Sequence, residues 1–226
     1  MTRHLSGFRH VTVVGEDPGF SVEVFPQTSH LPCRDIYGPK AARIAHKFMV
    51  AMNRTDADRI VLWNDDYIVL KPYDVSSLGP HHRGILAERV RPKKRAPDAY
   101  QRMMLATGQA LRAAGHTEFD YDSHWPMLVD RRAFMSLTAW WERSKAHHTG
   151  LLVKSVYGNV MKLGGERVGD AKVYGLKQFN EVRDRLWMVS LSDTASDVIA
   201  EVAKDYPAEM ETFRWSGRTA AAVVRR

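Results

Sequence analysis

From Phe8 to Val14 the chain runs largely apolar and β-branched, then stops at Gly15-Glu16-Asp17-Pro18-Gly19, which predicts a strand and a turn. Ser21 to Phe25 reads as a second short strand, and Pro26, Pro32 and Gly38 mark the next segment as loop. The period then changes. Ala41, Ala42, Ile44, Ala45, Phe48, Met49 and Met52 recur at three- and four-residue spacing, the signature of a helix whose first turn accommodates Pro39. Lys40, Arg43 and Lys47 share another face of that helix. Arg59 to Trp63 is a short buried strand that delivers Asn64-Asp65-Asp66 at its carboxyl end. Tyr67 to Leu70 continues apolar, and Lys71-Pro72 closes the segment.

Asp98 to Ala114 is a helix with Asp98 as its cap and Gly115 as its stop. A further helix runs from about Asp130 to Arg143, with Phe134, Leu137 and Trp141 on one face. Between them, Phe119 to Pro126 has no period and reads as loop or extended chain. Gly158 to Gly169 reads as a glycine-rich loop, Leu186 to Leu191 as a strand, and Ser196 to Asp205 as a helix ending before Pro207. Strands alternating with helices predict an α/β sandwich around a mixed central sheet, and no linker or composition break divides residues 1–226.

Composition narrows the class. Of 226 residues, 44% are hydrophobic and 26% charged, the balance of a protein with a buried core. No apolar run approaches the roughly 20 residues that span a bilayer, so no membrane span is expected. Met1 to His10 is basic but has no apolar stretch or small-residue cleavage site after it, so no secretory signal is expected. Cys33 is the one cysteine, which excludes an intramolecular disulfide and a four-cysteine zinc site and makes the cytoplasm the expected compartment. The net charge of +7 and pI near 9.6 favour anionic partners: nucleotide phosphates, nucleic acid or an acidic membrane surface. The charge is dispersed apart from one dense run, Arg89 to Arg95.

The adjacent carboxylates Asp65 and Asp66 stand directly after the apolar run Ile60 to Trp63, at the strand end where open α/β folds bind ligands. Carboxylates there are costly to desolvate unless a cation compensates them. A Mg²⁺ or Mn²⁺ bridging to a diphosphate would do so; a solvated Asn-Asp turn is the plain alternative. His124, beside Trp125, is a candidate base, ligand or phosphate donor, or simply a packed side chain. Lys40 sits in a first helical turn, whose free N–H groups favour an anion, so Lys40 and Arg43 are candidate phosphate contacts; a solvated helix face is the alternative. The pairs His81-His82 and His147-His148 lack metal-ligand spacing and read as surface. Gly158 to Gly169 fits neither the phosphate-loop nor the dinucleotide pattern.

Ile60-Val-Leu-Trp-Asn-Asp-Asp-Tyr-Ile-Val-Leu-Lys-Pro72 resembles the Asn-Asp-Asp segment of the Stealth family of capsular-polysaccharide sugar-phosphate transferases and of small phage and bacterial glycosyltransferase-like proteins related to it. Tyr121 to Asp130 is similar to the family's later His-x-Pro segment, and Lys154 to Asn159 resembles a third block, in the same order. Val11 to Asp17 stands where the family has a Trp-Val-Asp-Gly-like turn. The resemblance implies a glycosyltransferase A-type (GT-A) α/β/α fold and a nucleotide-sugar donor. It implies Mn²⁺ or Mg²⁺ on Asp65 and Asp66, with Asn64 beside them, and a site role for Asp66 and for His124, the latter as second metal ligand, phosphate donor or acceptor-side base; Lys40 and Arg43 remain the phosphate contacts that the helix start suggests. The acceptor is open among glycan, protein and a modified base in DNA. Sugar-phosphate transfer and a non-catalytic, basic nucleic-acid-binding protein are the rival expectations.

Overall fold

The structure, a computed structural model, describes residues 4–16, 27–64, 66–90, 96–204 and 221–225, the last group as backbone. The chain opens with β1 (Leu5–Ser6), β2 (His10–Gly15), β3 (Thr28–Pro32), α1 (Lys40–Asn53), β4 (Arg59–Asn64), β5 (Tyr67–Val69), β6 (Tyr73–Asp74) and β7 (His81–His82). It continues through α2 (Leu86–Arg89), α3 (Ala99–Ala113), β8 (Met127–Asp130), α4 (Arg131–Ser136), α5 (Thr138–Ala146) and α6 (Val153–Val160). The remaining elements are β9 (Glu166–Arg167), β10 (Lys172–Val173), α7 (Leu176–Val182), β11 (Met188–Leu191), α8 (Ser196–Ala203) and β12 (Ala221–Arg225). The fold is mixed α/β.

The main sheet has the order β3, β2, β12, β4, β8. β2 and β3 pair in parallel, while β12 runs antiparallel to both β2 and β4 and β8 runs antiparallel to β4. β2, β3 and β4 therefore point the same way, and their carboxyl ends share one sheet edge. β4 explains the layering. Alternate side chains of a strand face opposite sides, and here both sides are covered: Ile60 and Leu62 enter a core with Phe48, Phe134, Trp141 and Val156 of α1, α4, α5 and α6. Val61 and Trp63 enter a second core with Tyr67, Val69 and Met188. None of these four β4 side chains is more than 1% exposed, each contributing roughly 1.5–3 kcal/mol by burial. The second face thus packs on another sheet, of order β10, β11, β5, rather than directly on helices. Ile68, Val189 and Leu191 pass through that sheet to meet Phe179 of α7 and Val198 of α8.

Two helices follow their sequence signals closely. In α1 the buried face is Ala41, Ala42, Ala45, Phe48, Ala51 and Met52, with Pro39 in extended conformation at the N-cap. In α3, Asp98 and Gln101 exchange backbone hydrogen bonds as a capping box, and Gly115 follows the helix at φ +75°.

Elsewhere the structure differs from the reading. The expected strand at residues 21–25 lies outside the described residues, as does most of the basic run from Arg89 to Arg95. Thr28–Pro32, expected as loop, is the edge strand β3. Pro32 is tolerated because it ends an edge strand and faces no ladder that needs its N–H. The expected helix from Asp130 is two helices broken at Leu137, with Asp130 capping the first through the Ala133 N–H at 2.8 Å. Gly158 is no loop residue: it lies inside α6, where a Cβ would stand 2.5 Å from the Tyr121 ring. The His81-His82 pair is not surface either. His82 is 8% exposed, its ring 4.3 Å from that of Phe119. Among the described residues, no helix is long and apolar enough to cross a membrane.

Candidate functional site

The carboxyl edge of the main sheet presents Gly15 of β2, Cys33 to Asp35 after β3, Asn64 at the end of β4 and Asp66 after it. α1 starts at the same edge, because it leaves from β3 and returns the chain to the beginning of β4. Asp65 lies outside the described residues; Asn64 is half-buried. Asp66 is firmly held. Its carbonyl accepts from the Leu191 N–H at 2.8 Å. Its Oδ2 accepts from the buried Ser190 hydroxyl at 2.6 Å and from Lys172 Nζ at 3.3 Å. Its Oδ1 is buried and has no hydrogen-bond partner.

His124 belongs to the irregular segment Phe119 to Pro126. Its Nδ1 lies 2.8 Å from Asp170 Oδ1, which also accepts from the His124 N–H at 3.2 Å. The other Asp170 oxygen pairs with Arg83 Nη1. Burial alone would raise Asp170, but the hydrogen bond and charge of His124 and the Arg83 guanidinium outweigh it and hold the carboxyl at about 2. Ionised, Asp170 can only accept, so Nδ1 carries a hydrogen, and in the neutral imidazole Nε2 is then the nitrogen that can take a proton.

Behind this pair the charges form a chain. Arg83 Nε and Arg89 Nε face Asp120 Oδ2 at 3.4 and 3.6 Å. Asp120 is fully buried, and desolvation raises it to about 6 despite the charge of Arg83. Desolvation raises Asp122 as well, and its Oδ2 is buried without a hydrogen-bond partner. Tyr100 covers the cluster with its hydroxyl turned in onto the Asp122 carbonyl at 3.2 Å, where desolvation pushes its ionisation up.

Asp66 and His124, 58 positions apart in sequence, attach to one short segment. Asp170 holds His124 and Lys172 holds Asp66, with buried Ala171 between them. The buried Lys154 feels Asp122, Asp120, Asp170 and Asp66 together. What this arrangement can do chemically is accept a proton at His124 Nε2 beside a fixed carboxylate.

The basic stripe on α1 is not brought together as a free surface. Arg43 Nη1 and Lys47 Nζ both grip Asp35, at 3.0 and 2.9 Å, and Lys47 is 8% exposed. Lys40 is exposed. An open hollow of about 610 Å³ lies between Gly15, Glu16, Pro32, Cys33, Arg34 and Asp35, at the same sheet edge; neither Asp66 nor His124 is among these lining residues. Cys33 there is buried, and desolvation raises its thiol, which makes it a poor nucleophile. Among the described residues no three His, Cys, Asp or Glu side chains converge as a metal-ligand group.

Sequence reasoning did not single out Asp170, Arg83, Asp120 or Lys172, and it met Lys154 only as the first residue of the third block, without a role. Asp120 and Asp122 do flank the aromatic Tyr121 in the non-periodic stretch, a polar-apolar alternation that signals extended chain near a site. Asp170 offers no local signal beyond the neighbouring glycine, Gly169. A comparison with known protein families finds no match to the chain, and a comparison with characterised proteins finds no similar sequence.

Proposed function

We propose that the protein is a nucleotide-sugar-dependent glycosyltransferase of GT-A-like architecture, with Asp66 toward the donor diphosphate and His124 as the acceptor's base. The observation that carries this reading is the attachment of both residues to the Asp170–Lys172 segment. It unites the residues of the first two blocks on which the Stealth-like resemblance rests.

In the proposed reaction His124 Nε2 removes the proton of an acceptor hydroxyl. The freed oxygen bonds to the anomeric carbon, the bond from that carbon to the diphosphate breaks, and the nucleoside diphosphate leaves. The proton stays on the imidazole, and the imidazolium is stabilised by ionised Asp170, an electrostatic arrangement fixed before the reaction begins. Asp66 suits Mn²⁺ or Mg²⁺, since Oδ1 is buried without a partner and such ions are commonly held by one or two carboxylates plus substrate phosphates. When bound, the ion supplies neutralisation of the charge that develops on the leaving diphosphate. Of the two α1 candidates, Lys40 is exposed at the start of the helix and open to a phosphate, whereas Arg43 is committed to Asp35.

Thermal-shift measurements with nucleoside diphosphates and nucleotide sugars, with and without Mn²⁺, test the reading. Saturation at 100 times Kd stabilises the fold by about 2.7 kcal/mol, a clear rise in Tm. His124→Ala should bind the donor and release no nucleoside diphosphate from it. No shift with any nucleotide, in either condition, refutes the proposal. Product mass separates sugar transfer from sugar-phosphate transfer.

A further inference from the structure

His124 sits in a stretch without repetitive structure, so its backbone has no ladder to fix it. Lys154 in the first turn of α6 supplies the missing support. Its Nζ donates to the Ser123 carbonyl at 2.6 Å and to the Trp125 carbonyl at 2.9 Å, the residues on either side of His124. Lys154 is 6% exposed, among core neighbours Val153, Val156 and Tyr157. Burying an ammonium is costly unless its donors are satisfied and its charge is opposed. Here two carbonyls meet the donors; desolvation still lowers the ammonium's hold on its proton, and Asp122, Asp120, Asp170 and Asp66 offset that only in part. An apolar side chain would avoid the cost altogether, so the lysine answers to the turn above it. On the far side the Trp125 indole donates to the Gly169 carbonyl at 2.9 Å, next to Asp170.

We propose that Lys154 is the positioning residue of this site: by clamping the carbonyls of Ser123 and Trp125, it sets His124 with Nδ1 on Asp170 and Nε2 toward the acceptor. The inference rests on the reading of His124 as base, and its test has a readout that needs no turnover.

In the full-length protein labelled with ¹⁵N-histidine, ring nitrogen shifts report the tautomer of His124. The wild type should show one tautomer, with hydrogen on Nδ1. Lys154→Met should lose that bias and give averaged shifts, and Lys154→Arg, which keeps the charge and donors, should restore it in part. A folded Lys154→Met protein that keeps the wild-type His124 tautomer overturns the proposal. Should that variant not fold, the wild type decides: a slowly exchanging Lys154 ammonium resonance with nuclear Overhauser contacts to residues 123–125 supports the clamp. An ammonium exchanging as fast as the surface lysines defeats it. Failure of the wild type to bind nucleotides would sink the transferase reading and leave the tautomer result standing.

Discussion

Asp120→Asn isolates the cost of the buried charge at the back of the site. Asp120 Oδ1 accepts from the Asp122 N–H at 3.1 Å, and Oδ2 faces Arg83 and Arg89 without a hydrogen bond. Desolvation dominates, Arg83 opposes it and Asp122 adds to it, leaving the group at about 6 against 3.8 when unperturbed. The folded protein therefore binds this proton more tightly than the unfolded chain. Stability from the neutral form is fully present below pH 3.8 and is lost as pH rises through about 6. At about 1.4 kcal/mol per tenfold, the span from 3.8 to about 6 amounts to about 3 kcal/mol. Asparagine keeps the oxygen for Asp122 and never ionises, so at pH 3.5 the variant should match the wild type. By pH 7.5 it should be the more stable by about 3 kcal/mol. Urea unfolding at pH 3.5, 5, 6 and 7.5, followed by tryptophan fluorescence, reads the difference directly. A difference that stays constant with pH, or turns against the variant as pH rises, refutes this account of the cluster.

Three further outcomes are expected. Asp66→Asn should remove the Mn²⁺-dependent nucleotide shift while costing about 1 kcal/mol, because Ser190 keeps an oxygen acceptor but Lys172 loses its counter-charge; a full nucleotide shift in this variant would make Asp66 purely architectural. Asp170→Asn should cost about 2 kcal/mol at pH 7, a deficit that closes as pH falls from 3.8 toward about 2, where the wild-type carboxyl also becomes neutral. Denaturant curves at pH 7 and pH 2 check it, and an equal deficit at both would place the effect elsewhere. Gly158→Ala should destabilise by about 1–3 kcal/mol, since its Cβ would stand 2.5 Å from the Tyr121 ring. A gain in Tm from better helix propensity would show that the ring can move aside.

What the sequence made legible was local. α1, α3 and β4 carry their own signals, in the spacing of Ala45, Phe48 and Met52, in the Asp98–Gln101 box and in the apolar run ending at Asn64. β3 was not legible because its partner β2 defines it more than its own residues do, and α6 was obscured by a glycine that serves packing rather than turning. At the site, Asp66 and His124 stand out as residue types in context. Their holders do not. Asp170 is 46 positions from His124, and Lys172 is 106 from Asp66, so no window along the chain contains either pair. Lys47 shows the converse, a periodic charge that reads as solvated and is in fact buried against Asp35.

β12 bears on the order in which the protein is made. β2 and β4 do not pair with each other, and Ala221 is the register partner of both Val14 and Asn64. At the usual strand spacing, that sets the two strands about 9–10 Å apart. Without β12, the pairs β3 with β2 and β4 with β8 would each present an open edge to the same insert. More than 150 residues separate β4 from β12, so the contact is among the slowest kinds to form, and the open edges are the surfaces a chaperone would cover in the interval. The edge bearing Gly15 and Asn64 thus reaches its full width only once β12 is seated between β2 and β4.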